Sequence, residues 1–463
     1  SKANVFAKFT LRVHNLLHSF IFTPSHSVPM TYSTQTAFLS KEAIKAVQEK
    51  KLQETMAYLQ ANSPFYQRLF AAHRVDTGKV QTLADLQGLP VTTKEDLQQY
   101  NNEFLCVPVS KLIEYTSTSG TLGSPVTIAL TENDLQRLAF NEYSSFLCAD
   151  GKPSDIYQLM LTLDRQFMAG MAYYAGIRKM GAGIIRVGPG VPSLQWQIIE
   201  RIRPTAIVGV PSFILKLIQY AQAHHIDFKK FAVEKAICIG ENIRNTDFSL
   251  NILGKKITEA WNIKLYSTYA STEMQTAFTE CGAGQGGHHN PDLLLVELLD
   301  DNNEAVPPGQ AGEITITTLG VEGMPLLRYK TGDICLYTEE PCSCGRNSLR
   351  LSPVLGRKKQ MIKYKGTTLY PPALFDLLNE MEEVKEYVAE VYSNDIGLDE
   401  VLLYMVPADT KTETDHRIRA YLQAKLRVSP HVQYISAADM QAMQFPEGAR
   451  KPVKFIDKRV KTI

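Results

Sequence analysis

Hydroxyl and glycine residues crowd one stretch of the chain, Ser117-Thr118-Ser119-Gly120-Thr121-Leu122-Gly123-Ser124-Pro125. Backbone N–H and side-chain O–H donors spaced in this way can wrap a chain of phosphates, and glycine lets the backbone approach closely. No Gly-Lys-Ser/Thr is present and residues 125–130 read as strand rather than helix, so this is not a Walker-type loop. Further on, Tyr269-Ala270-Ser271-Thr272-Glu273 puts a carboxylate just after a hydroxyl-rich turn that follows a buried strand. That position suits Mg²⁺, which keeps several waters and bridges substrate phosphates. In Leu327-Arg328-Tyr329-Lys330-Thr331-Gly332-Asp333 an aspartate follows a Thr-Gly turn, where its two oxygens can accept from both hydroxyls of a ribose. A basic loop, Glu447-Gly448-Ala449-Arg450-Lys451-Pro452-Val453-Lys454, lies near the C-terminus. Any one of these segments also fits an ordinary polar turn.

A second constellation is metal-ligating. His288 lies seven residues after Cys281, and Cys342-Ser343-Cys344 follows in a Pro/Gly turn. Three thiols and an imidazole complete a tetrahedral zinc set, with the paired cysteines as half of a knuckle and His289 as a competing ligand. The remaining cysteines of the seven, Cys106, Cys148, Cys238 and Cys335, stand among apolar neighbours and read as small hydrophobes. An odd count in a long chain argues against a secreted disulfide framework.

Composition narrows the partners. The 49 basic and 48 acidic residues nearly cancel, which argues against a nucleic-acid partner. No run approaches the roughly 20 apolar residues of a membrane span, so a soluble, cytoplasmic protein without a membrane partner is expected. Residues 1–29 carry Lys2, Lys8 and Arg12 without an acid, then a short apolar run from Leu16 to Phe22. They read as an N-terminal extension, with Met30 as the functional start.

Two or three packed units suit 463 residues. Helical periodicity runs from Lys41 to about His73 with a break at Asn62-Ser63-Pro64, and Thr92-Thr93-Lys94-Glu95-Asp96 looks like an N-cap opening another helix. Between about 150 and 275, apolar runs at 184–187, 206–210, 235–239 and 263–267 alternate with helices such as 212–223. This is the pattern of a layered α/β sheet. Residues 293–340 alternate as strands. Beyond Gly356-Arg357 an α+β order fills the rest of the chain. The expected organisation is a body over 30–356 with a β-rich subdomain, and a small mobile domain over 357–463.

Taken in order, these segments resemble the adenylate-forming superfamily of acyl-CoA synthetases, and most closely its phenylacetate–CoA ligase branch. The hydroxyl/glycine loop is similar to the family's Ser-Gly-Thr-Thr-Gly-x-Pro loop, with Leu122 in place of the second Thr. Asn62-Ser63-Pro64-Phe65-Tyr66, Pro211-Ser212-Phe213 and Met324-Pro325-Leu326-Leu327-Arg328-Tyr329 also look like that branch. The resemblance implies an α/β adenylate-forming fold with a small C-terminal lid. It also implies an AMP-forming carboxylate–CoA ligase that uses ATP, Mg²⁺ and CoA.

Roles follow by matching position. Ser119, Gly120 and Thr121 would cradle the β- and γ-phosphates, and Glu273 would hold Mg²⁺. Asp333, with Arg357 close by, would grip the ribose. Gly240, Glu241 and Asn242 fall where the family lines the adenine; Tyr269 would stack on or border the base, with Ser271 and Thr272 beside it. Lys451 would reach the carboxylate and α-phosphate, with Lys454 as the alternative. Lys359 sits at the hinge position, and rotation there would bring Lys365 and Gly366 to the CoA tunnel. The resemblance reads Cys281, His288, Cys342 and Cys344 as structural zinc.

An aryl or arylacetic acid such as phenylacetate is the substrate implied by analogy, with Tyr173, Pro211 and Phe213 walling its pocket. A homodimer is the family expectation. Alternatives within the same chemistry are loading of a carrier protein and adenylyl transfer to a deazaflavin; from another class, a non-catalytic nucleotide-binding protein.

Overall fold

Capping residues set the helix boundaries. Helix α1 (Lys41–Asn62) starts at Ser40, whose side chain accepts from the Ala43 amide, and buries Ile44, Leu52, Met56 and Leu59. Pro64 opens α2 (Pro64–His73) at the first helical position, with Ser63 as its cap. Thr93 and Asp96 form a reciprocal capping box on α3 (Lys94–Gln99). Thr131 and Asp134 do the same for α4 (Glu132–Cys148), which follows the antiparallel hairpin β1 (Leu112–Ser117) and β2 (Thr127–Thr131).

This computed structural model describes residues 32–118, 126–364, 367–394, 398–408, 412–426, 430–446 and 452–459. The N-terminal extension 1–29, the loop residues Ser119, Gly120 and Thr121, Lys365 with Gly366, and Lys451 therefore lie outside the described residues.

The central αβ segment runs β3 (Ile156–Leu159), α5 (Met168–Met180), β4 (Gly183–Arg186), α6 (Pro192–Ile202), β5 (Ala206–Gly209) and α7 (Pro211–Ala223). It continues with β6 (Lys235–Ile239), α8 (Ile252–Ala260), β7 (Lys264–Ser271), β8 (Thr276–Glu280) and β9 (Gly287–His288). The β-rich part follows: β10 (Leu294–Leu299), β11 (Gly312–Thr318), β12 (Tyr329–Cys335), β13 (Tyr337–Thr338), β14 (Arg350–Leu351) and β15 (Gly356–Arg357).

Among the described residues, nine strands make one mixed sheet in the order β13-β14-β9-β8-β7-β6-β5-β3-β4. From β7 through β4 the pairs are parallel, whereas β7 to β8 and the strands beyond are antiparallel. Successive residues on β5 and β6 feed opposite faces. Ile207, Ala236 and Cys238 join Trp196, Ile199, Leu217 and Ile257. Ala206, Val208, Ile237 and Ile239 join Phe146, Tyr157, Tyr173 and Ile177 on the other side. Helices on both faces explain why these strands read as unbroken apolar runs. A four-stranded antiparallel sheet, β10-β11-β12-β15, forms the β-rich part.

The remaining elements are β16 (Ile362–Tyr364), β17 (Thr367–Leu369), α9 (Pro371–Glu380), β18 (Val384–Ser393), β19 (Asp399–Pro407), α10 (Thr412–Leu426), β20 (His431–Tyr434), α11 (Ala437–Gln444) and β21 (Phe455–Asp457). They surround their own core, which includes Ile362, Leu374, Leu378, Val391, Leu403, Met405, Ile418 and Leu422. Arg357 still pairs with Asp333 across β15 and β12. The passage between the two cores is therefore the short segment 358–361. No helix among the described residues is long and apolar enough to cross a membrane.

Candidate active site

Ligands of open parallel sheets sit outside the carboxyl ends of the strands. Here β5 runs into Val210 and Pro211, β6 into Gly240-Glu241-Asn242, and β7 into Ser271-Thr272-Glu273. Gly240 has φ +75°, a left-handed conformation that disfavours a side chain and turns the chain across the sheet edge. Glu241 is pinned there by Ser212, whose amide and hydroxyl both donate to its carboxylate at 2.9 Å. The Asn242 side chain donates to the Val354 carbonyl at 2.8 Å, tying this loop to the approach to β15.

Asp333 lies on β12 directly after Gly332, φ +79°. Its Oδ2 accepts from the Tyr269 hydroxyl at 2.7 Å and its Oδ1 from Arg357 Nε at 3.2 Å. Burial, then the neighbouring Asp333 charge, push the Tyr269 phenol well above its ordinary value, so it stays a donor. The Tyr269 ring itself tilts against Phe278 with centroids 5.9 Å apart. One hydrogen-bonded unit thus joins the sheet's β7 to the β-rich part.

Glu273 sits in the tight turn from β7 to β8, half-exposed, with the Tyr329 hydroxyl 3.5 Å from Oε1. Two residues later Gln275 has φ +52°, an uncommon conformation for a residue with a side chain. Its carbonyl accepts from the fully buried Arg137 guanidinium at 2.9 Å. Arg137 also donates to the Leu293 and Leu319 carbonyls, so α4 fastens the turn that presents Glu273.

A cavity of about 110 Å³ opens beside this turn. Tyr173, Gly240, Ser271 and Thr272 line it together, with Phe167, Met168, Ala172 and Ile239 as apolar wall. Pro211 instead begins α7, and Phe213 packs on the core beneath that helix; neither lines this cavity. Glu142 on α4 faces in as well, and burial pushes its carboxyl up to about 8 against an opposing hydrogen bond from Asn141.

Among the described residues, Cys281, His288, Cys342 and Cys344 bring their ligand atoms within 4.8 Å of one another. Cys281 Sγ lies 3.7 Å from Cys342 Sγ, and Cys344 Sγ lies 3.5 Å from His288 Nε2. A tetrahedral ion with metal–sulfur bonds of about 2.3 Å and metal–nitrogen bonds of about 2.05 Å needs edges of about 3.8 and 3.6 Å. The donor set fits. Burial drives His288 down to about 3, which keeps its imidazole neutral and able to ligate. Burial pushes Cys344 up, but hydrogen bonds from the Arg346 backbone and side chain leave it below the usual thiol range. His289 turns away, its Nδ1 3.4 Å from the Leu349 carbonyl.

Between the two cores, Lys359 pairs with Glu95 on α3, and Lys358 pairs with Asp301 and Glu313 at 2.7 and 3.2 Å. Arg459 donates to the Lys359 and Met361 carbonyls at 2.9 and 2.7 Å. Lys454 Nζ stands 3.6 Å from Glu241 Oε1 and 5.4 Å from the Tyr387 ring centre.

A model of the AMP-binding enzyme family matches residues 32–323, more than half of the chain. The chain belongs to the AMP-binding enzyme family. This AMP-binding enzyme is 29% identical over 409 residues to phenylacetate-coenzyme A ligase of Thermus thermophilus, covering 84% of the chain and 90% of that relative. It is 25% identical over 358 residues to the Escherichia coli phenylacetate-coenzyme A ligase, covering 75% and 79%. A crystal structure of 2-hydroxyisobutyryl-CoA ligase in the postadenylation state, in complex with R3-HIB-AMP, superposes with TM-score 0.78. That pair is 22% identical and covers 94% of each chain, which establishes the α/β adenylate-forming fold.

Sequence reasoning missed Glu142, Thr276 and Arg137. Glu142 follows the buried Leu138 by one helical step on α4, and Arg137 is buried on another side of the same helix. An ionisable residue inside an apolar stripe was the available signal.

Proposed function

We propose that this AMP-binding enzyme joins an aryl or arylacetic acid to CoA through an acyl-adenylate. The protein is an AMP-forming CoA ligase. The observation that carries it is the convergence of Gly240, Ser271 and Thr272 on one cavity at the carboxyl ends of β6 and β7. Asp333 and Tyr269 are hydrogen-bonded to each other alongside.

In the first half-reaction a carboxylate oxygen of the acid attacks the α-phosphorus of ATP, and the bond to the pyrophosphate oxygen breaks. Asp333 accepts from the ribose hydroxyls, with Arg357 holding its carboxylate in place. Gly240-Glu241-Asn242 borders the adenine, and Ser119, Gly120 and Thr121 hold the β- and γ-phosphates. Glu273 has spare acceptor capacity beyond its single long contact to Tyr329, which suits a hard cation. Mg²⁺ bound there would neutralise charge on the phosphates. Lys451 donates to the carboxylate and α-phosphate oxygens; Lys454 is already paired with Glu241, which favours Lys451 for this part. In the second half-reaction the CoA sulfur bonds to the acyl carbon, the bond from that carbon to the AMP phosphate oxygen breaks, the thiol proton passes to solvent, and AMP departs. Residues 357–463 act as a lid that turns about Lys359 and brings Lys365 and Gly366 toward CoA. Catalysis is positioning and charge stabilisation, with no protein nucleophile.

Cys281, His288, Cys342 and Cys344 hold a structural zinc, supported by ligand atoms within 4.8 Å of one another and by two edges, 3.7 and 3.5 Å, close to those of a tetrahedron. It would clamp the end of β8, β9 and the β13–β14 connection.

The test is acid-dependent exchange of pyrophosphate into ATP over a panel of aryl, arylacetic and short aliphatic acids, followed by thioester formation with CoA. Aryl or arylacetic acids should support both. Exchange with none of the acids, or adenylate that never becomes CoA thioester, would contradict the proposal.

A further inference from the structure

Two polar atoms in the wall of the cavity between α4, α5 and the ends of β6 and β7 have no partner. Glu142 Oε2 and Thr276 Oγ1 are both buried without a hydrogen bond. Each residue is only 4% exposed, and both line this cavity. They come from different elements, α4 and β8. Buried polar groups are almost always satisfied, so two orphans on one cavity call for a ligand atom to complete them.

The setting makes their chemistry specific. Asn141 Nδ2 donates to Glu142 Oε1 at 2.9 Å, which fixes one oxygen and leaves the other buried without a partner. Gly176 on α5 lets the helices meet at this level: a Cβ there would stand 2.4 Å from Glu142 Cβ. The side chain is thus backed by helix rather than solvent. No cationic group lines the cavity among the described residues. Leu138, Phe167, Met168, Ala172 and Ile239 give the wall an apolar part beside the hydroxyl-bearing Thr268, Ser271 and Thr272, and the volume of about 110 Å³ is of the order of the roughly 150 Å³ cavity that accepts benzene.

We infer that Glu142 and Thr276 are specificity-determining residues that select a carboxylic acid bearing a hydroxyl group on its acyl part, so that the substrate is a hydroxylated aryl or arylacetic acid. This rests on the reading of the cavity as the acyl pocket of an adenylating ligase. A hydroxyl both donates and accepts, which matches a neutral carboxyl and a threonine hydroxyl together. A bare ring leaves both protein atoms unpaired. An ammonium substituent would need an ionised carboxylate, and burial holds Glu142 in its neutral form at pH 7.

The experiment measures kcat/KM in pyrophosphate exchange for phenylacetic acid against its three ring-hydroxylated isomers. It is run on the whole protein and on Glu142→Met, Glu142→Gln and Thr276→Val. The readout is the ratio of hydroxylated to plain acid within each protein, which does not depend on how much of a variant is folded. The wild type should favour at least one hydroxylated isomer by about tenfold or more, since a site built to bond a hydroxyl rejects the analogue lacking it. Glu142→Met and Thr276→Val should each shrink that ratio by at least about threefold, and Glu142→Gln, which keeps a bonding group, should retain most of it. A wild-type enzyme that uses the plain acid as well as every hydroxylated isomer would overturn the inference while leaving the ligase reading intact. So would a preference unchanged in both Glu142→Met and Thr276→Val. Exchange with no acid at all would defeat the ligase reading and this inference with it.

Discussion

Replacing Asp333 by asparagine should separate nucleotide binding from the rest of the protein's chemistry. Both carboxylate oxygens already have protein donors, Tyr269 on Oδ2 at 2.7 Å and Arg357 on Oδ1 at 3.2 Å. Asparagine can keep its carbonyl toward Arg357, which only donates, and offer its NH₂ to Tyr269, whose hydroxyl can accept. The fold should therefore lose only about 1 kcal/mol. A ribose meets something different: a neutral amide with one accepting oxygen in place of a charged acceptor with two. A hydrogen bond to a charged group is worth about 1.5–3 kcal/mol, and losing one such bond weakens binding by roughly 10- to 150-fold. The assay is pyrophosphate exchange at saturating acid, titrated with ATP, alongside a melting curve. KM for ATP should rise by roughly that factor while kcat at saturating ATP changes far less. An unchanged KM in a protein that melts normally would refute the ribose assignment. A large drop in melting temperature with KM unaltered would make the Tyr269–Asp333–Arg357 unit purely structural.

Three further expectations concern other parts of the site. Lys451→Ala should slow exchange by about 100- to 1,000-fold, the cost of one preorganised donor, whereas Lys454→Ala should cost less than about tenfold; the opposite ranking in paired kinetics would reassign the lysine. Purified protein should carry about one zinc per chain by elemental analysis, and Cys281→Ser should lower both zinc content and melting temperature. Protein well below that zinc content with an unaltered melting curve would remove the metal. Glu142 titrates at about 8 when folded against an ordinary 4.5, so between those values the folded state holds a proton that the unfolded chain has released. The contribution of Glu142 to stability is full below 4.5 and is lost as pH rises to 8, by up to about 1.4 kcal/mol per pH unit. The stability difference between wild type and Glu142→Gln should fall across that window, and parallel denaturation profiles from pH 5 to 8 would contradict it.

How much of this could be read from the chain depends on the range of the interactions involved. Residues 206–209 and 235–239 are legible because strands covered on both faces are apolar without interruption, and Pro211 marks a helix start by its fixed φ. Caps such as Thr93 with Asp96 are legible because the whole interaction spans three residues. The cysteine–histidine set is legible as a donor set, although Cys281 and Cys342 meet across 61 residues, because few other uses fit such a group. The antiparallel extension of the main sheet is not, since β9 and β14 are two residues each and carry no periodicity. Glu142 and Arg137 defeat composition-based reading for a related reason. An acid or arginine on a helix is ordinarily solvated, and only the distant carbonyls of Gln275, Leu293 and Leu319, or a cavity, reveal that these are buried. Phe213, partly buried, packs against the core beneath its helix, a contact its place beside a site motif does not reveal.

The pocket at the strand ends is tested most directly by a crystal structure with a non-hydrolysable acyl-adenylate analogue. The ribose hydroxyls should lie within hydrogen-bonding distance of Asp333, the base against Gly240-Glu241-Asn242, and the acyl group inside the cavity lined by Tyr173 and Glu142. Nucleotide bound away from Asp333, or an acyl group directed out of that cavity, would contradict the account.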